Sequence, residues 1–455
     1  MSDPVPALAE RAAACADRLL AADSVVLASH IDADGLTSGA IAASALERAG
    51  IPFETTFEKQ LDADAIDRIA ATDHEVALFT DFGSGQLDDI LPHHRAGAFD
   101  AVVADHHQPA TGEEGEQPPE IDHHLNPLLF DIDGAAELSG AGATYVLARA
   151  MESDGVDNRD LAALAVVGAV GDMQDTDGGL IGANEGIVAE GVAAGAIEEV
   201  TDISLYGRQT RPLPKLLEYA SELRIPGISG DEEGSIRFLS DLDVDLKVDG
   251  DWRRWVDLSF EERQTVASAL MKHAISRGVP PERVNSVTTT TYVLSAEEVG
   301  TELRDVSEFS TVLNATARYE RADVGLAVCL GYRDEALEEA RRLLRTHSRN
   351  LSEGLAWVKT EGVEQADNLQ WFDAGTRIRE TIVGIIAGMA LGASGIRRDQ
   401  PIVAFAQENS DELKVSARGN GFLVRDGLDL SVVMSEAADA VGGGGGGHDV
   451  AAGAT

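Results

Sequence analysis

Short apolar runs alternate with helix-like stretches in the N-terminal part of the chain. Val25–Ala28, Val76–Thr80 and Ala101–Ala104 are continuously apolar and predict buried strands, each followed by an acidic or histidine-bearing segment. Ser38–Ala49 and Asp64–Ala71, which lie between them, carry apolar residues at helical spacing. Alternating strands and helices predict a parallel, doubly wound α/β sheet with ligands at the carboxyl ends of its strands.

The pattern changes after residue 206. Proline-containing breaks at Arg211–Pro214 and Pro280–Pro281 enclose an acidic stretch, Asp231–Asp251, and material with helical spacing. This composition predicts an inserted module that is mostly helical. Its arginine and glutamate side chains fit a solvated surface better than a binding site.

Strands and helices alternate again towards the C-terminus. Pro401–Ala406 and Glu412–Ala417 predict a hairpin that turns at Glu408–Asp411, and Asp429–Val441 predicts a helix. We therefore expect three parts: an α/β domain over 1–206, an inserted, mostly helical module and linker over 207–345, and a smaller α/β domain over 346–455.

Charge is the unusual feature of the composition. The 455 residues include 79 Asp and Glu against 36 Lys and Arg, a net charge of −43, and only six residues are Lys. Molar salt would screen the self-repulsion of such a chain, so we interpret the composition as halophilic, typical of haloarchaea. The overall charge repels phosphate, so it gives no argument for a nucleic-acid partner.

Cysteine use and the absence of targeting patterns indicate the compartment. Cys15 and Cys329 are far apart and lack metal-binding spacing, which is typical of a reducing environment. The N-terminus shows no signal-peptide pattern. Apolar runs such as Leu161–Gly171 are too short to span a bilayer, so we expect a soluble, cytoplasmic protein without a membrane partner.

Histidine is concentrated in one region. Eight of the eleven histidines fall between residues 30 and 124: His30, His74, His93, His94, His106, His107, His123 and His124. Several neighbour aspartates at predicted strand ends. Imidazole and carboxylate ligands together favour Mn²⁺ over Ca²⁺ and leave Mg²⁺ and Zn²⁺ open.

The segment Ser29–Gly35 follows the first predicted strand. In an extended chain, His30, Asp32 and Asp34 would project to one side and could converge on a metal ion, and Gly35 would let the chain turn into the next helix. An aspartate-rich surface turn is the alternative.

Three further candidates follow apolar segments. Asp81 ends the strand Val76–Thr80 and could bridge two ions, although aspartate also commonly forms turns there. In Asp105-His106-His107, adjacent side chains point apart, so one histidine can bind metal while the other faces substrate. Asp172 follows the apolar stretch 161–171, where it could also simply end a helix.

A second triplet, Asp122-His123-His124, repeats the first. It follows the polar loop Gln117–Glu120 instead of an apolar strand. Because a metal ligand needs rigid support, we favour Asp105-His106-His107 as the ligand triplet. We expect His123 and His124 to line the mouth of the site.

Together these segments resemble the motifs of the DHH phosphoesterase superfamily. The match comprises His-x-Asp-x-Asp-Gly at residues 30–35, the strand-end Asp81, the triplet at 105–107 and Asp172. Residues 444–453 are similar to the glycine-rich motif of the associated DHHA1 domain. Asn126-Pro127 and Leu138–Gly142 resemble RecJ-type members, and Glu308–Gly331 does so more loosely.

The resemblance implies roles for individual residues. His30, Asp32 and Asp81 would hold one Mn²⁺, and a second would be held by Asp34, Asp81, His106 and Asp172, with Mg²⁺ as the alternative metal. Asp105 would orient His106, and His107 would contact the scissile phosphate. Substrate-binding residues in the DHHA1 domain would be Arg418, Gly445, Gly446, Gly447 and His448.

Size, inserted module and composition point to the archaeal RecJ-like group, which includes the GINS-associated nuclease. The resemblance thus implies a two-metal exonuclease that releases mononucleotides from single-stranded DNA or RNA in replication or repair, with GINS and replication proteins as possible partners. A hydrolase of short oligoribonucleotides, cyclic dinucleotides or pyrophosphate, and a non-catalytic replisome scaffold, are the alternatives. Family members normally continue beyond the Ala-Ala-Gly element, so a truncated C-terminus or a missing last helix is an open alternative to a complete DHHA1 domain.

Overall fold

The structure is a computed structural model that describes residues 3–111, 119–175, 178–220, 223–409 and 412–455. Part of the polar loop Gln117–Glu120 and the hairpin-tip residues Ser410 and Asp411 lie outside these ranges. By internal contacts the chain divides into two compact units, Met1–Ala340 and Arg341–Thr455. Each unit is described by itself.

A five-stranded parallel sheet forms the centre of the first unit, in the order β2-β1-β3-β4-β5. Its strands are β1 (Val25–His30), β2 (Phe53–Glu58), β3 (Val76–Thr80), β4 (Asp100–Ala104) and β5 (His124–Leu125). The predicted α/β class and parallel sheet are confirmed. The two edge strands were not predicted, because β2 is polar and half-buried and β5 has only two residues.

Helices cover both faces of this sheet. They are α1 (Ala9–Leu20), α2 (Ala33–Ala49), α3 (Ala63–Ala70), α4 (Leu87–Ala96), α5 (Gly140–Ala150), α6 (Ala162–Gly171) and α7 (Ala183–Ala193). On one face, α3 and α4 bury Ile66 and Ile90 against Phe79. The helices α2, α5 and α6 pack on one another as a second layer. Burying both faces explains why β1, β3 and β4 are continuously apolar.

The remainder of the first unit is mostly helical, as its pattern predicts. Its elements are β6 (Ile197–Ile203), α8 (Leu213–Glu218), α9 (Glu232–Ser240), β7 (Lys247–Val248), β8 (Asp251–Trp252), α10 (Phe260–Ser276), α11 (Pro281–Asn285), β9 (Thr288–Leu294), α12 (Val306–Arg318), α13 (Ala322–Cys329) and α14 (Glu335–Glu361), the last of which extends into the second unit. The antiparallel pair β6 and β9 flanks a separate core built around Trp255. Within the described ranges, no helix combines the length and apolar character needed to cross a bilayer.

The second unit is built on a mixed six-stranded sheet in the order β10-β11-β12-β13-β15-β14. Its elements are β10 (Glu364–Gln365), β11 (Gln370–Asp373), α15 (Glu380–Ala390), β12 (Ile402–Gln407), β13 (Leu413–Arg418), α16 (Gly421–Arg425), α17 (Leu430–Asp439), β14 (Gly445–Gly447) and β15 (Ala451–Ala454). The predicted hairpin is the antiparallel pair β12 and β13, and α17 is the predicted helix. α15 packs on one face of the sheet and α17 on the other.

Candidate metal centre

The carboxyl ends of three neighbouring strands bring the candidate side chains together. β1, β3 and β4 are adjacent and parallel, so His30, Asp81 and Asp105 reach the same edge of the sheet. Asp81 has a positive φ of 60°, a left-handed conformation that aspartate tolerates better than most residues. This turn directs its carboxylate across the ends of the strands.

Three overlapping groups of ligand-type side chains are found among the described residues, and in each group the ligand atoms lie within 4.8 Å of one another. Two of them are the groups that the resemblance implies, His30, Asp32 and Asp81 in one and Asp34, His106 and Asp172 in the other; the third joins Asp81 to Asp105, His106 and His107. Asp81 Oδ2 lies 3.4 Å from His30 Nδ1, and its Oδ1 lies 3.3 Å from His106 Nε2. Asp81 is 1% exposed and faces both groups.

The segment Ser29–Gly35 reaches this arrangement by a route other than the predicted extended chain. His30 ends β1, Asp32 caps α2 by accepting a hydrogen bond from Gly35 N–H at 3.0 Å, and Asp34 lies in the first helical turn. The three side chains therefore divide between the two groups. Gly35 is required by close approach and not by a turn, because a Cβ there would lie 2.1 Å from the His30 carbonyl oxygen.

Asp34 is fixed by the N-terminus of α5. Gly140 N–H donates to its Oδ2 at 2.7 Å and Ala141 N–H to its Oδ1 at 3.0 Å. Burial, together with the nearby charge of Asp81, raises the pKa of Asp34 well above its usual value, although the charge of His106 opposes this. Such crowding of carboxylates is the electrostatic setting that a divalent cation relieves.

His106 is held so that one ring nitrogen faces the carboxylates. Its Nδ1 lies 2.6 Å from the Gly134 carbonyl oxygen, which can only accept, so Nδ1 carries a hydrogen and Nε2 faces Asp34 and Asp81. Burial lowers the pKa of His106, but its hydrogen bond to Asp81 and the charges of Asp34, Asp81 and Asp172 raise it well above the usual value. A metal-ligating histidine is commonly oriented by such a carbonyl.

Asp172 ends α6, which is one of the two roles considered for it from the sequence. It also lies in the group with Asp34 and His106. Its Oδ2 lies 3.8 Å from His106 Nδ1 and accepts a 2.9 Å hydrogen bond from Gln174 Nε2. Burial raises the pKa of Asp172 to about 6; the charge of His106 lowers it, and those of Asp81 and Asp32 raise it. Ending a helix and facing the cluster are thus compatible.

Asp105 holds the ring of His107 and reaches His106 only at its backbone, whereas the resemblance implies that it orients the His106 side chain. Its Oδ1 accepts from His107 Nδ1 at 2.8 Å and from the backbone N–H of His106 at 2.7 Å, and its Oδ2 accepts from Ser84 N–H at 2.9 Å. The imidazole of His107 is 55% exposed. Since a carboxylate accepts from Nδ1, the exposed ring edge of His107 carries Nε2.

The second triplet does not line a site mouth, which corrects the sequence-based expectation. His124 lies within the short strand β5, is 4% exposed, and places Nε2 2.8 Å from Ser84 Oγ. His123 is partly buried, and its carbonyl oxygen accepts a 2.9 Å hydrogen bond from Val103 N–H. Its side chain is in none of the groups of ligand-type side chains found among the described residues.

The residues fit divalent metal ions. His30 Nδ1 and Asp81 Oδ1 are buried, and among the described residues their neighbours at 3.2–3.4 Å are other members of the cluster, without a hydrogen bond of standard geometry. A bound metal ion would satisfy these polar atoms. Two imidazoles and four carboxylates form a donor set that suits Mn²⁺ and also Mg²⁺.

Two neighbours on α12 were not identified from the sequence. Asn314 Oδ1 accepts a 3.3 Å hydrogen bond from Ala33 N–H, between Asp32 and Asp34. Burial alone would raise the pKa of Asp32, but the charge and hydrogen bond of His30, the N–H of Gly35 and the charge of Arg318 lower it. Asn314 and Arg318 have the i, i+4 spacing of one helix face, the signal that could have found them.

In the second unit, the candidate substrate residues share one face of the sheet. Arg418 on β13 pairs with Ala451 on β15, and His448 exchanges two backbone hydrogen bonds with the same alanine. Directly opposed residues project to the same face, so the small Ala451 side chain lies between Arg418 and His448. A Cβ on Gly384 would lie 2.5 Å from Arg418 Nη2, so α15 leaves room for the guanidinium.

The glycines form an edge strand of the second sheet. Gly445–Gly447 is β14, paired antiparallel with β15. Gly444 N–H donates to Thr455, which follows β15, at 3.2 Å, and His448 N–H donates to Ala451 in β15 at 2.8 Å. Because bonding alternates along an antiparallel pair, the N–H groups of Gly445 and Gly447 point away from β15.

Comparison with known proteins agrees with this arrangement. A DHH-CID domain model matches residues 205–288, and a DHHA1 domain model matches residues 372–455. An uncharacterized protein of Methanocaldococcus jannaschii is 30% identical over 428 residues, which cover 93% of this chain and 88% of that protein.

Two solved structures share the fold. RecJ of Thermus thermophilus in complex with Mn²⁺ superposes with a TM-score of 0.59 at 18% identity, over 99% of this chain and 52% of that one. This chain thus spans about half the length of that RecJ. CDC45 of Entamoeba histolytica superposes with a TM-score of 0.62 at 12% identity, over 98% and 93% of the two chains.

The parallel sheet with aspartate and histidine at its strand ends, followed by a DHHA1 domain, defines a protein of the DHH type. The chain belongs to the family of the M. jannaschii protein, it carries DHH-CID and DHHA1 domains, and its fold is that of RecJ.

Proposed function

We propose that this chain is a Mn²⁺-dependent phosphodiesterase that degrades single-stranded nucleic acid from an end and releases mononucleotides. Mg²⁺ is the alternative metal. The observation that carries the proposal is the position of Asp81, whose two oxygens face two groups of ligand-type side chains. A carboxylate shared in this way suits two ions at the ~3.5–4 Å separation of two-metal phosphate hydrolysis.

The metal ligands in this proposal are His30, Asp32 and Asp81 for one ion and Asp34, Asp81, His106 and Asp172 for the other. Bound metal ions supply an activated water and stabilise the charge that develops on the phosphate oxygens. Gly134 and the N-terminus of α5 fix the directions of His106 and Asp34. His107, held at Nδ1 by Asp105, presents Nε2 to a phosphate oxygen.

Substrate binding in the second unit rests on a few local contacts. Arg418 and His448 would donate to a phosphate group, together with the outward N–H groups of the glycine strand. An arginine can hold phosphate through two hydrogen bonds, and such geometric contacts suit a chain with a net charge of −43. GINS and other replication proteins remain candidate partners through the archaeal RecJ-like group.

A non-catalytic replisome scaffold is the second candidate, favoured by the likeness of fold to CDC45. The two functions differ in what they require of the cluster. A scaffold has no need of six ligand-type side chains held by specific hydrogen bonds, which is why we place hydrolysis first.

The test is digestion of end-labelled single-stranded DNA and RNA with Mn²⁺ in molar KCl, with a dinucleotide as the short-substrate comparison. We expect mononucleotide products from the wild type. Asp81→Asn should abolish them and lower the bound Mn²⁺, because asparagine tolerates the positive φ but cannot bridge two ions. Binding of single strands without hydrolysis by the wild type would favour the scaffold.

The role of the second unit is tested on the same substrates. Arg418→Ala and His448→Ala should raise the Michaelis constant or shorten processive digestion while Mn²⁺ binding stays unchanged. Losing one charge-assisted phosphate contact costs about 1.5–3 kcal/mol. An unchanged Michaelis constant and product length in both variants would contradict this role.

A further inference from the structure

A buried polar network connects the second triplet to the first. His124 Nε2 lies 2.8 Å from Ser84 Oγ, and Asn126 Nδ2 donates both to Ser84 Oγ and to the His107 carbonyl oxygen, each at 2.8 Å. Ser84 N–H donates to Asp105 Oδ2. Ser84 and Asn126 are fully buried, and His124 is 4% exposed.

The orientation of the Asn126 amide is determined by its partners. Asn126 Oδ1 accepts from Leu128 N–H at 2.9 Å, so Nδ2 faces Ser84 and His107. Ser84 Oγ therefore accepts from Asn126, and its own hydrogen can be donated to His124 Nε2. We assign His124 as the neutral acceptor of this hydrogen bond.

The network holds His107 at two points, its backbone carbonyl and the Asp105 carboxylate that bonds its ring. Asn126 holds the His107 backbone at its carbonyl, and Ser84 holds the Asp105 carboxylate that in turn holds His107 Nδ1. Arg11 Nη1 donates to the His124 carbonyl oxygen at 3.1 Å and anchors the far end. A half-exposed imidazole is thereby fixed from behind by buried groups.

We propose that His124, acting through Ser84 and Asn126, is a positioning residue that fixes His107 with Nε2 directed at the substrate phosphate. The inference rests on the proposed hydrolysis, because it assigns a role within that site. It gives the second triplet a function of its own: the first triplet supplies a metal ligand and a phosphate contact, and the second supports the histidine that makes the phosphate contact.

The experiment uses a matched pair of substitutions. His124→Leu keeps the volume but leaves the Ser84 hydroxyl without an acceptor, whereas His124→Gln can offer Oε1 near the position of Nε2. Partners that orient active-site ligands typically contribute 10- to 100-fold to activity. We expect kcat for a dinucleotide to fall about 10- to 100-fold in His124→Leu and to recover largely in His124→Gln, while KM and the Mn²⁺ bound at saturation stay unchanged.

A second readout does not depend on turnover. In protein labelled with ¹⁵N-histidine, the His107 Nδ1 proton, which is hydrogen-bonded to Asp105, should shift in His124→Leu and keep its wild-type position in His124→Gln. His123→Leu, next in the sequence but outside the network, should leave both readouts unchanged.

The outcomes separate failure of this inference from failure of the proposed function. Unchanged kcat and resonance in a folded His124→Leu protein, or equal losses in the leucine and glutamine variants, would overturn the positioning role. A wild type without any hydrolysis would overturn the proposed function, and the resonance would still decide whether His124 positions His107.

Discussion

The two Asp-His-His triplets have the same sequence and opposite environments. In the first, Asp105 is buried and ionised, His106 faces the carboxylates and His107 is half-exposed. In the second, Asp122 is exposed and His124 is buried in the sheet. The same three residues can therefore have different chemical roles, depending on where they lie relative to the ends of the strands.

Strand register explains the contrast. Asp105 follows the last residue of β4 and its N–H makes the last hydrogen bond to β5, at Leu125, so His106 and His107 lie beyond the strand, where side chains can converge. His124 pairs with Val103 inside the ladder, so its side chain must pack within the protein. Burial lowers the pKa of His124 to about 4. Burial also lowers the pKa of His107, but the hydrogen bond and charge interaction of His107 with Asp105 outweigh this effect and raise its pKa.

The largest expected effect separates the first histidines of the triplets. His106→Ala removes a proposed metal ligand and should lower hydrolysis by about 10⁴-fold or more, with reduced Mn²⁺ binding in calorimetric titration. His123→Ala should keep most of the activity, because His123 belongs to none of the groups of ligand-type side chains found among the described residues. Equal losses in both variants would show that we assigned the wrong triplet.

A smaller effect separates the two aspartates. Asp105→Asn cannot accept hydrogen bonds at both side-chain positions, so either Ser84 N–H or the His107 ring loses its partner. We expect kcat to fall about 10- to 100-fold. Asp122→Asn changes an exposed side chain and should leave kcat unchanged and stability within about 0.5 kcal/mol in urea titrations. A large loss in Asp122→Asn would contradict the contrast.

The sequence predicted the parts of this site that depend on local pattern. Apolar runs followed by Asp or His identified β1, β3 and β4 and the residues at their ends, because a strand buried on both faces leaves an uninterrupted signal. The strand β5 left none, since two residues have no periodicity. His124 was therefore assigned to a loop and given a surface role.

Long-range partners were beyond prediction for a different reason. The backbone groups that hold Asp34 and His106 belong to Gly140, Ala141 and Gly134, and main-chain donors and acceptors carry no sequence signature. The direction of Asp105 towards His107 likewise depends on ring geometry. Local patterns thus identified the ligand-type side chains, and tertiary structure determined how they are oriented.

The smallest effect concerns stability and follows from the buried state of His124. Its pKa is about 4 in the folded protein, below the ~6.5 of an unfolded chain. Between these values the unfolded state binds more protons, so the contribution of His124 to stability is present above pH 6.5 and is lost as the pH falls. The loss from pH 7 to pH 5 amounts to about 2 kcal/mol.

Glutamine at position 124 removes this titration. The free energy of unfolding, measured by urea titration at pH 7 and pH 5 in constant molar KCl, should therefore fall by about 2 kcal/mol less in His124→Gln than in the wild type. Other titrating groups cancel in this difference, because both proteins contain them. Equal falls would mean that His124 accepts a proton freely in the folded state. Its Nε2 could then not be the acceptor for Ser84, and the two triplets would differ less than their burial indicates.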